Sequence, residues 1–396
     1  MGDHLGRQSH YKEAAHWLEE ARARFEAIGD RLGTAQCTRS LGDVLYLQNH
    51  YEEAAVRIEE ARAAFEAIGH RLGIAQCTQR LGNVLFAQSE YKKAAVRIEE
   101  ARAAFEAIGN RLGAAQCIKS LGNVLLMQSH YEEAIVRFGE ARVTFEAIGN
   151  RLGATQCIQS LGNVLHMQTR YQEATVSIEE ARATFKAIGD RLGAAQCASN
   201  LGDVLNMQNH YEEATVKFEE ARSAFEAIGD RRGVGQCTRR LGYVLYMQNH
   251  YEEAAVRIEE ARATFEAIGH RLGVAQCAQR LGNVLCAQSE YKKAVVRIEE
   301  ARATFEAIGN RLGAAQCSRD LGDVLFLQNH YEEAAVRLEE ARSAFEAIGD
   351  RCGAAECTRI LGDMLTTQNH YEDAAMRLEE ARAAFDAVDE SLSMAE

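Results

Sequence analysis

The chain has 396 residues, no proline, 47% hydrophobic and 26% charged residues, and a formal net charge of −13. That hydrophobic share excludes a disordered chain, and no run approaches the ~18 apolar residues of a membrane span. The acidic balance disfavours nucleic acid and membrane as partners, and Met1-Gly2-Asp3-His4 carries no basic-then-apolar leader, so a cytoplasmic, intracellular protein is expected.

A fixed period organises everything else. Leu41-Gly42 returns as Leu81-Gly82 and onward to Leu361-Gly362, every forty residues, without insertion or deletion. Such a period overrides the two or three domains that length alone suggests. It describes one array, residues 1–396, whose stability is spread over contacts between neighbouring units. The units are 1–40 (truncated), 41–80, 81–120, 121–160, 161–200, 201–240, 241–280, 281–320, 321–360 and 361–396, the last a C-terminal cap.

Within a unit, Asp30 is placed to cap a helix, as are Asn110, Asn150, Asp190, Asp230, Asn310 and Asp350. His70 and His270 are weaker choices at that position. Ala35, Cys37, Leu41, Val44, Leu45 and Gln48 then recur at mostly three- and four-residue spacings, the helical period. Asn49 and its equivalents are always Ser, Thr or Asn, and in six of ten units Glu follows three residues later. That spacing predicts a capping box opening a second helix. Tyr51, Ala54, Ile58, Ala61, Phe65 and Ile68 form its apolar face, with Glu53 and Arg57 expected to pair in water. Gly69 suits a left-handed stop. Each unit is therefore two antiparallel helices of roughly 17–18 residues. Gly42, in mid-helix, costs about 1 kcal/mol against alanine, so its recurrence implies a helix crossing there, with Ala54 facing it.

Nine of the eleven cysteines share the position of Cys37; Cys286 and Cys352 are extras. Equivalent helices lie roughly 8–10 Å apart, beyond the ~7 Å a disulfide spans. The thiols are read as small core residues, and their spacing does not fit a zinc site, so no metal is expected.

Leu41-Gly42 followed by Tyr51, Ala54, Ile58 and Ala61 resembles the tetratricopeptide repeat. The forty-residue unit, without proline and turning at Gly29-Asp30-Arg31, is similar to the subclass found in LGN/Pins polarity scaffolds and in C-terminal arrays of fungal NACHT or NB-ARC receptor-like ATPases. The resemblance implies an all-α, right-handed superhelical solenoid of about ten helix pairs. It also implies that the first helices line a concave groove.

The repeats differ mainly on that face. The second helix is nearly constant, whereas positions 36, 39, 40, 43, 46 and 47, on one side of the first helix, change from unit to unit. Arg39, Arg80, Lys119, Asn200, Arg239, Arg240, Arg280, Arg319 and Arg359 supply mostly basic groups there. At the position of Asp43 stand Asn83, Asn123, Asn163, Asp203, Tyr243, Asn283 and Asp323, and Tyr246 lies at that of Tyr46. Basic groups above asparagines, which can donate and accept, suit an extended acidic peptide. Asparagine and arginine ladders hold extended peptides in LGN-like proteins. The bland alternative is that Arg39 and Asp43 pair within one helix. Lys119 with Asn123 matches the start of the family's two-carboxylate clamp, but Asp203 has the wrong sign, so chaperone-tail binding is not expected.

No catalytic residue and no cofactor are expected. Seven of the twelve histidines sit in the turn between helices without an acid or nucleophile arranged beside them, and Gly-Asp-Arg-Leu-Gly lacks the Lys-Ser/Thr of a phosphate loop. Residues 41–80 and 241–280 differ at five positions and 81–120 and 281–320 at six, so a two-unit block recurs 200 residues on. Met1 aligns with Leu41, so the first unit starts midway through a helix. That reads as a fragment of a longer protein or as an edge covered by a partner or by self-association. Asp389 replaces the stop glycine, and Glu390-Ser391-Leu392-Ser393 reads as a polar end. The function expected is a non-enzymatic protein- or peptide-binding scaffold, the sensing end of a receptor-like ATPase. The alternatives are an autonomous adaptor and a self-associating array.

Overall fold

The computed structural model describes residues 2–393, and side chains at Tyr11 and at 13–387. The described residues form nineteen helices: α1 Gly2–Ala27, α2 Arg31–Leu47, α3 Tyr51–Ala67, α4 Arg71–Ala87, α5 Tyr91–Ala107, α6 Arg111–Met127, α7 Tyr131–Ala147, α8 Arg151–Met167, α9 Tyr171–Ala187, α10 Arg191–Met207, α11 Tyr211–Ala227, α12 Arg231–Met247, α13 Tyr251–Ala267, α14 Arg271–Ala287, α15 Tyr291–Ala307, α16 Arg311–Leu327, α17 Tyr331–Ile348, α18 Arg351–Thr367 and α19 Tyr371–Ser393. Even-numbered helices are the first of each unit and odd-numbered ones the second.

Both turns of a unit use the same backbone. After α3, Gly69 is left-handed at φ 67°. His70 N donates to Phe65 O at 2.9 Å and Gly69 N to Glu66 O at 3.0 Å, which satisfies carbonyls the helix end leaves bare. After α2, Asn49 takes the same role at φ 62°, with His50 N donating to Leu45 O and Asn49 N to Tyr46 O, both at 3.0 Å. The capping-box expectation at Asn49 is thereby corrected. The N-cap of α3 is His50, which makes no side-chain cap bond. The Asn49 side chain instead accepts the Tyr51 hydroxyl at 2.8 Å, a use for Asn at a position whose backbone favours glycine.

The caps of the first helices are as expected. Asp30 accepts from Gly33 N at 3.0 Å and Asn110 from Gly113 N at 2.8 Å. His70 and His270 also cap, through Nδ1, at 3.0 and 2.9 Å. At the ends the period is overridden. α1 runs unbroken through Ser9-His10, because the eight residues before Ser9 are too few to pack as a helix of their own. α19 continues past Asp389, where no glycine stops it. The side chains beyond residue 387, and those of residues 1–10, lie outside the described residues, as does the expected self-associating edge they would form.

The core is a column of repeating contacts. Ala54, Ile58, Ala61 and Phe65 are buried, as are Ala35, Cys37, Leu41 and Val44; each large side chain contributes about 1.5–3 kcal/mol. A Cβ on Gly42 would lie 2.5 Å from Ile58 Cγ1 and 3.3 Å from the Ala54 carbonyl, so the crossing is real and Ile58 is its main occupant. Gly73 seats the Phe65 ring in the same way, at 2.5 Å. None of the eleven cysteines is in a disulfide, and burial pushes Cys77, Cys117 and Cys197 up to about 12. Among the described residues no group of side chains could hold a metal ion, and no helix is long and apolar enough to cross a membrane.

Two layers result. The first helices of successive units approach one another at backbone level, from α2 with α4 to α16 with α18. The second helices stand further apart, bridged by long side chains such as Arg262–Glu300 at 3.3 Å and Arg377–Glu339 at 3.1 Å. Curvature of this sense puts the first helices on the inside. Outer-layer charges pair mostly within one helix; Arg57 meets Glu60 at 2.9 Å rather than the expected Glu53, which lies by His50.

The array winds tightly enough for one superhelical turn to rest on the next. The α4–α5 turn meets the α15–α16 turn. Asn310 Nδ2 donates to Ala87 O at 3.3 Å, Arg311 N to Gln88 O at 3.5 Å, and the Arg311 guanidinium lies 3.5 Å from Glu90. Gln128 and Lys92 similarly abut Gly349. The same eleven-helix offset places the Asn49 turn over the His270 turn, and these residues are only 5% and 8% exposed.

Candidate functional site: the inner face

The variable positions of the first helices lie on the inner layer, and the structure assigns many of them a partner in the next unit. Asp43 pairs with Arg80 at 3.1 Å and Asp203 with Arg240 at 2.8 Å. Asn200 donates to Asn163 at 2.8 Å, and Arg39 and Lys119 donate to Gln76 and Gln156. The intrahelical pairing of Arg39 with Asp43 is thus replaced by cross-unit rungs, because inner helices are close enough for short side chains to span. In α18 the pairing stays within the helix, Arg359 with Asp363 at 2.5 Å and with Glu356 at 2.7 Å. Asn83, Asn123 and Asn283 are half-buried on the same face.

Charge is segregated along this face. In units six and seven, Arg280 lies 4.6 Å over the Tyr243 ring, which stacks on Tyr246 at 6.1 Å. Arg239 stands beside Arg240 and Arg280; burial first, then the Arg240 charge, pushes it down to about 10. Its buried Nε has no hydrogen-bond partner in the protein. Two units on the sign reverses. Arg319 holds Asp320 at 3.0 Å, while burial and the Asp320 charge push Asp323 up to about 7.

The basic stretch opens on a cavity of about 380 Å³ inside the seam between superhelical turns. Arg232, Arg239, Gln276 and Arg280 line one side, and Tyr46 and Phe86 of the second and third units face them. Inner-face periodicity brings Arg239 and Arg280 together. It does not bring Lys119, Arg319 or Arg359 to this cavity. Sequence reasoning missed Arg232, which replaces the leucine of Leu32, Leu72 and Leu112; a charged residue at a position that is otherwise leucine, or cysteine at Cys352, was its signal. Tyr46 and Phe86 were legible as variable positions but not as neighbours of Arg232, since they lie a full superhelical turn away.

The chain resembles several solved structures. A Rap protein complexed with competence and sporulation factor matches with a TM-score of 0.61 at 14% identity, over 90% of this chain and 99% of that one. A Rap conjugation gene regulator of a plasmid, in complex with a Phr peptide, gives 0.58 at 16% identity over 85% and 98%. A Signal Transduction ATPase with Numerous Domains from Pyrococcus horikoshii, with a tetratricopeptide repeat sensor, gives 0.51 at 14% identity; the match covers 87% of this chain and 55% of that one. At these identities the likeness shows the fold alone. No curated protein matches the sequence. The tetratricopeptide repeat family model matches residues 1–67, 74–144, 154–227 and 274–347, most of the chain, and the protein belongs to the tetratricopeptide repeat family.

Proposed function

We propose that the protein is a non-catalytic scaffold that holds an extended, acidic protein segment on its inner face, centred on Arg239 and Arg280. The observation that carries this reading is the seam cavity, where guanidinium groups converge and the Arg239 Nε is buried without a partner. A buried donor left unpaired costs about 1–3 kcal/mol, and a carboxylate entering the cavity would remove that cost while gaining a charge-assisted bond. Tyr46 and Phe86 supply an apolar wall for the neighbouring side chain. Asn83 and Asn123, further along the face, can bond the peptide backbone.

The titles of the solved neighbours support a peptide ligand, since two of those proteins are complexed with a factor or peptide. The sensor-bearing ATPase favours the sensing end of a receptor over a free adaptor. Screening a library of extended peptides against the protein, and rescreening with Arg239→Gln and Arg280→Gln, tests the reading. Acidic peptides should dominate the binders, and each substitution should weaken them about tenfold or more, the loss of one charge-assisted bond. Binders of neutral or basic character, or binding unchanged in both variants, would refute it.

A further inference from the structure

The contact between superhelical turns divides the connecting turns into two classes. Those at Asn49 and Ser89 are buried, and Tyr51, Tyr91 and Tyr131 beside this edge are 3–8% exposed. The equivalent turns at Asn209, Asn249, Ser289, Asn329 and Asn369 are open. On the opposite edge, Gly29, Gly69, Gly109, Gly149, Gly189 and Gly229 are exposed, whereas Gly269, Gly309 and Gly349 are not. The short superhelix thus ends in two unlike rims. One is made of turns that lead into second helices, the other of turns that lead into first helices. The internal seam joins one kind to the other.

The repeated two-unit block makes these rims complementary. Within the chain, Ala87-Gln88-Ser89-Glu90 meets Gly309-Asn310-Arg311, and the Asn49 turn lies over the His270 turn. The unused halves carry the same residues: Ala287-Gln288-Ser289-Glu290 on one rim and Gly109-Asn110-Arg111 on the other. Asn249-His250-Tyr251 likewise repeats Asn49-His50-Tyr51, and Gly69-His70-Arg71 repeats Gly269-His270-Arg271. Spacing within each pair is forty residues on both rims, so both contacts form in one register. Glu290 keeps 40% of its side-chain surface, against 15% for Glu90 in the seam, and Arg111 is exposed.

We infer that a second copy of this chain docks rim to rim, its Asn110-Arg111 turn taking on Gln288-Glu290 the place that Asn310-Arg311 takes on Gln88-Glu90. The contact is heterologous and, like the seam it copies, advances along the superhelical axis, so it adds copies end to end rather than closing a ring. The rims are separate from the inner-face cavity, and this inference does not depend on a ligand there.

Sedimentation velocity from micromolar to millimolar concentration tests it. The unmodified protein should associate as concentration rises. Glu290→Arg and Arg111→Glu, both on exposed side chains away from the internal seam, should each weaken association at least tenfold with helicity and melting unchanged. Either single variant alone sets like charge against like at every junction, whereas mixing the two should restore end-to-end growth with the copies alternating, because each junction then joins opposite charges, natural at one and exchanged at the next. The double variant should regain end-to-end growth. A monomer throughout the range, or association indifferent to both substitutions, would overturn the inference.

Discussion

The two turns of each unit share a backbone and differ in everything hung on it. The turn after a second helix has glycine at the left-handed position, and the next residue caps the following helix through its side chain. The turn after a first helix has Asn, Ser or Thr at that position, and His50 and its counterparts make no side-chain cap bond. One turn relieves strain by having no Cβ and secures the next helix with a cap. The other accepts strain and recovers part of it when a tyrosine hydroxyl bonds its side chain, as Tyr211 does to Asn209 at 2.7 Å. Identical geometry is thus reached by two different balances of backbone strain against hydrogen bonding.

The glycine turn should break most readily. At Gly189, φ is 77° and nothing lies within 4 Å of where a Cβ would sit, so a substitution there meets backbone strain alone. Gly189→Val should cost about 1–3 kcal/mol, read as a lower denaturation midpoint, and Gly189→Asn less than about 1 kcal/mol, since Asn tolerates the left-handed region. Equal losses would show that the two turns are not equivalent in backbone.

The caps differ in their response to acid. His270 accepts Gly273 N through Nδ1 and is pushed down to about 4 by burial and by the Arg232 charge, Arg239 adding to it. Its folded form stays neutral where the unfolded chain, with an ordinary histidine near 6.5, takes up a proton. Stability is therefore present above about pH 6.5 and is lost as pH falls toward 4, by about 2 kcal/mol at pH 5. His270→Asn, the residue that caps at Asn110 and Asn310, should remove that part of the slope when midpoints at pH 7.5 and pH 5 are compared. An unchanged slope would show that His270 titrates normally.

The smallest contrast is between caps at neutral pH. Asp190→Ala deletes the bond to Gly193 N and should cost about 1 kcal/mol. His210→Ala removes no cap bond, only a loose exposed pair with Glu213 at 3.8 Å, and should change the midpoint by less than about 0.5 kcal/mol.

What could be read from the residues was whatever is local to one unit. Helix lengths, the glycine stop, the Asp30-type cap, the buried thiols and the Gly42 crossing all follow from spacing, because each depends on atoms within about forty residues. Asn49 was misplaced by one residue because a capping box and a left-handed stop both favour Asn and Ser; only the backbone angle separates them. The seam was not legible at all. It depends on the rotation between units, summed over eleven helices, and no residue pattern states that angle. The basic centre was half legible for the same reason. Arg239 and Arg280 share a face by period, while Arg232, Tyr46 and Phe86 join them only through the winding.

The seam also gives the number of units a meaning that the units themselves lack. Any forty residues could be removed between the third unit and the eighth, and every neighbour contact in the core would be rebuilt from an equivalent pair. The winding, however, would carry Glu90 past Asn310 to the next turn, where Asp350 stands. Glu90 would keep a guanidinium, Arg351 in place of Arg311, but the amide of Asn310 that donates to the Ala87 carbonyl would give way to a carboxylate that can only accept. The array is therefore modular along its length and indexed around its axis, so that a change in unit number leaves the packing intact and shifts the register of the coil.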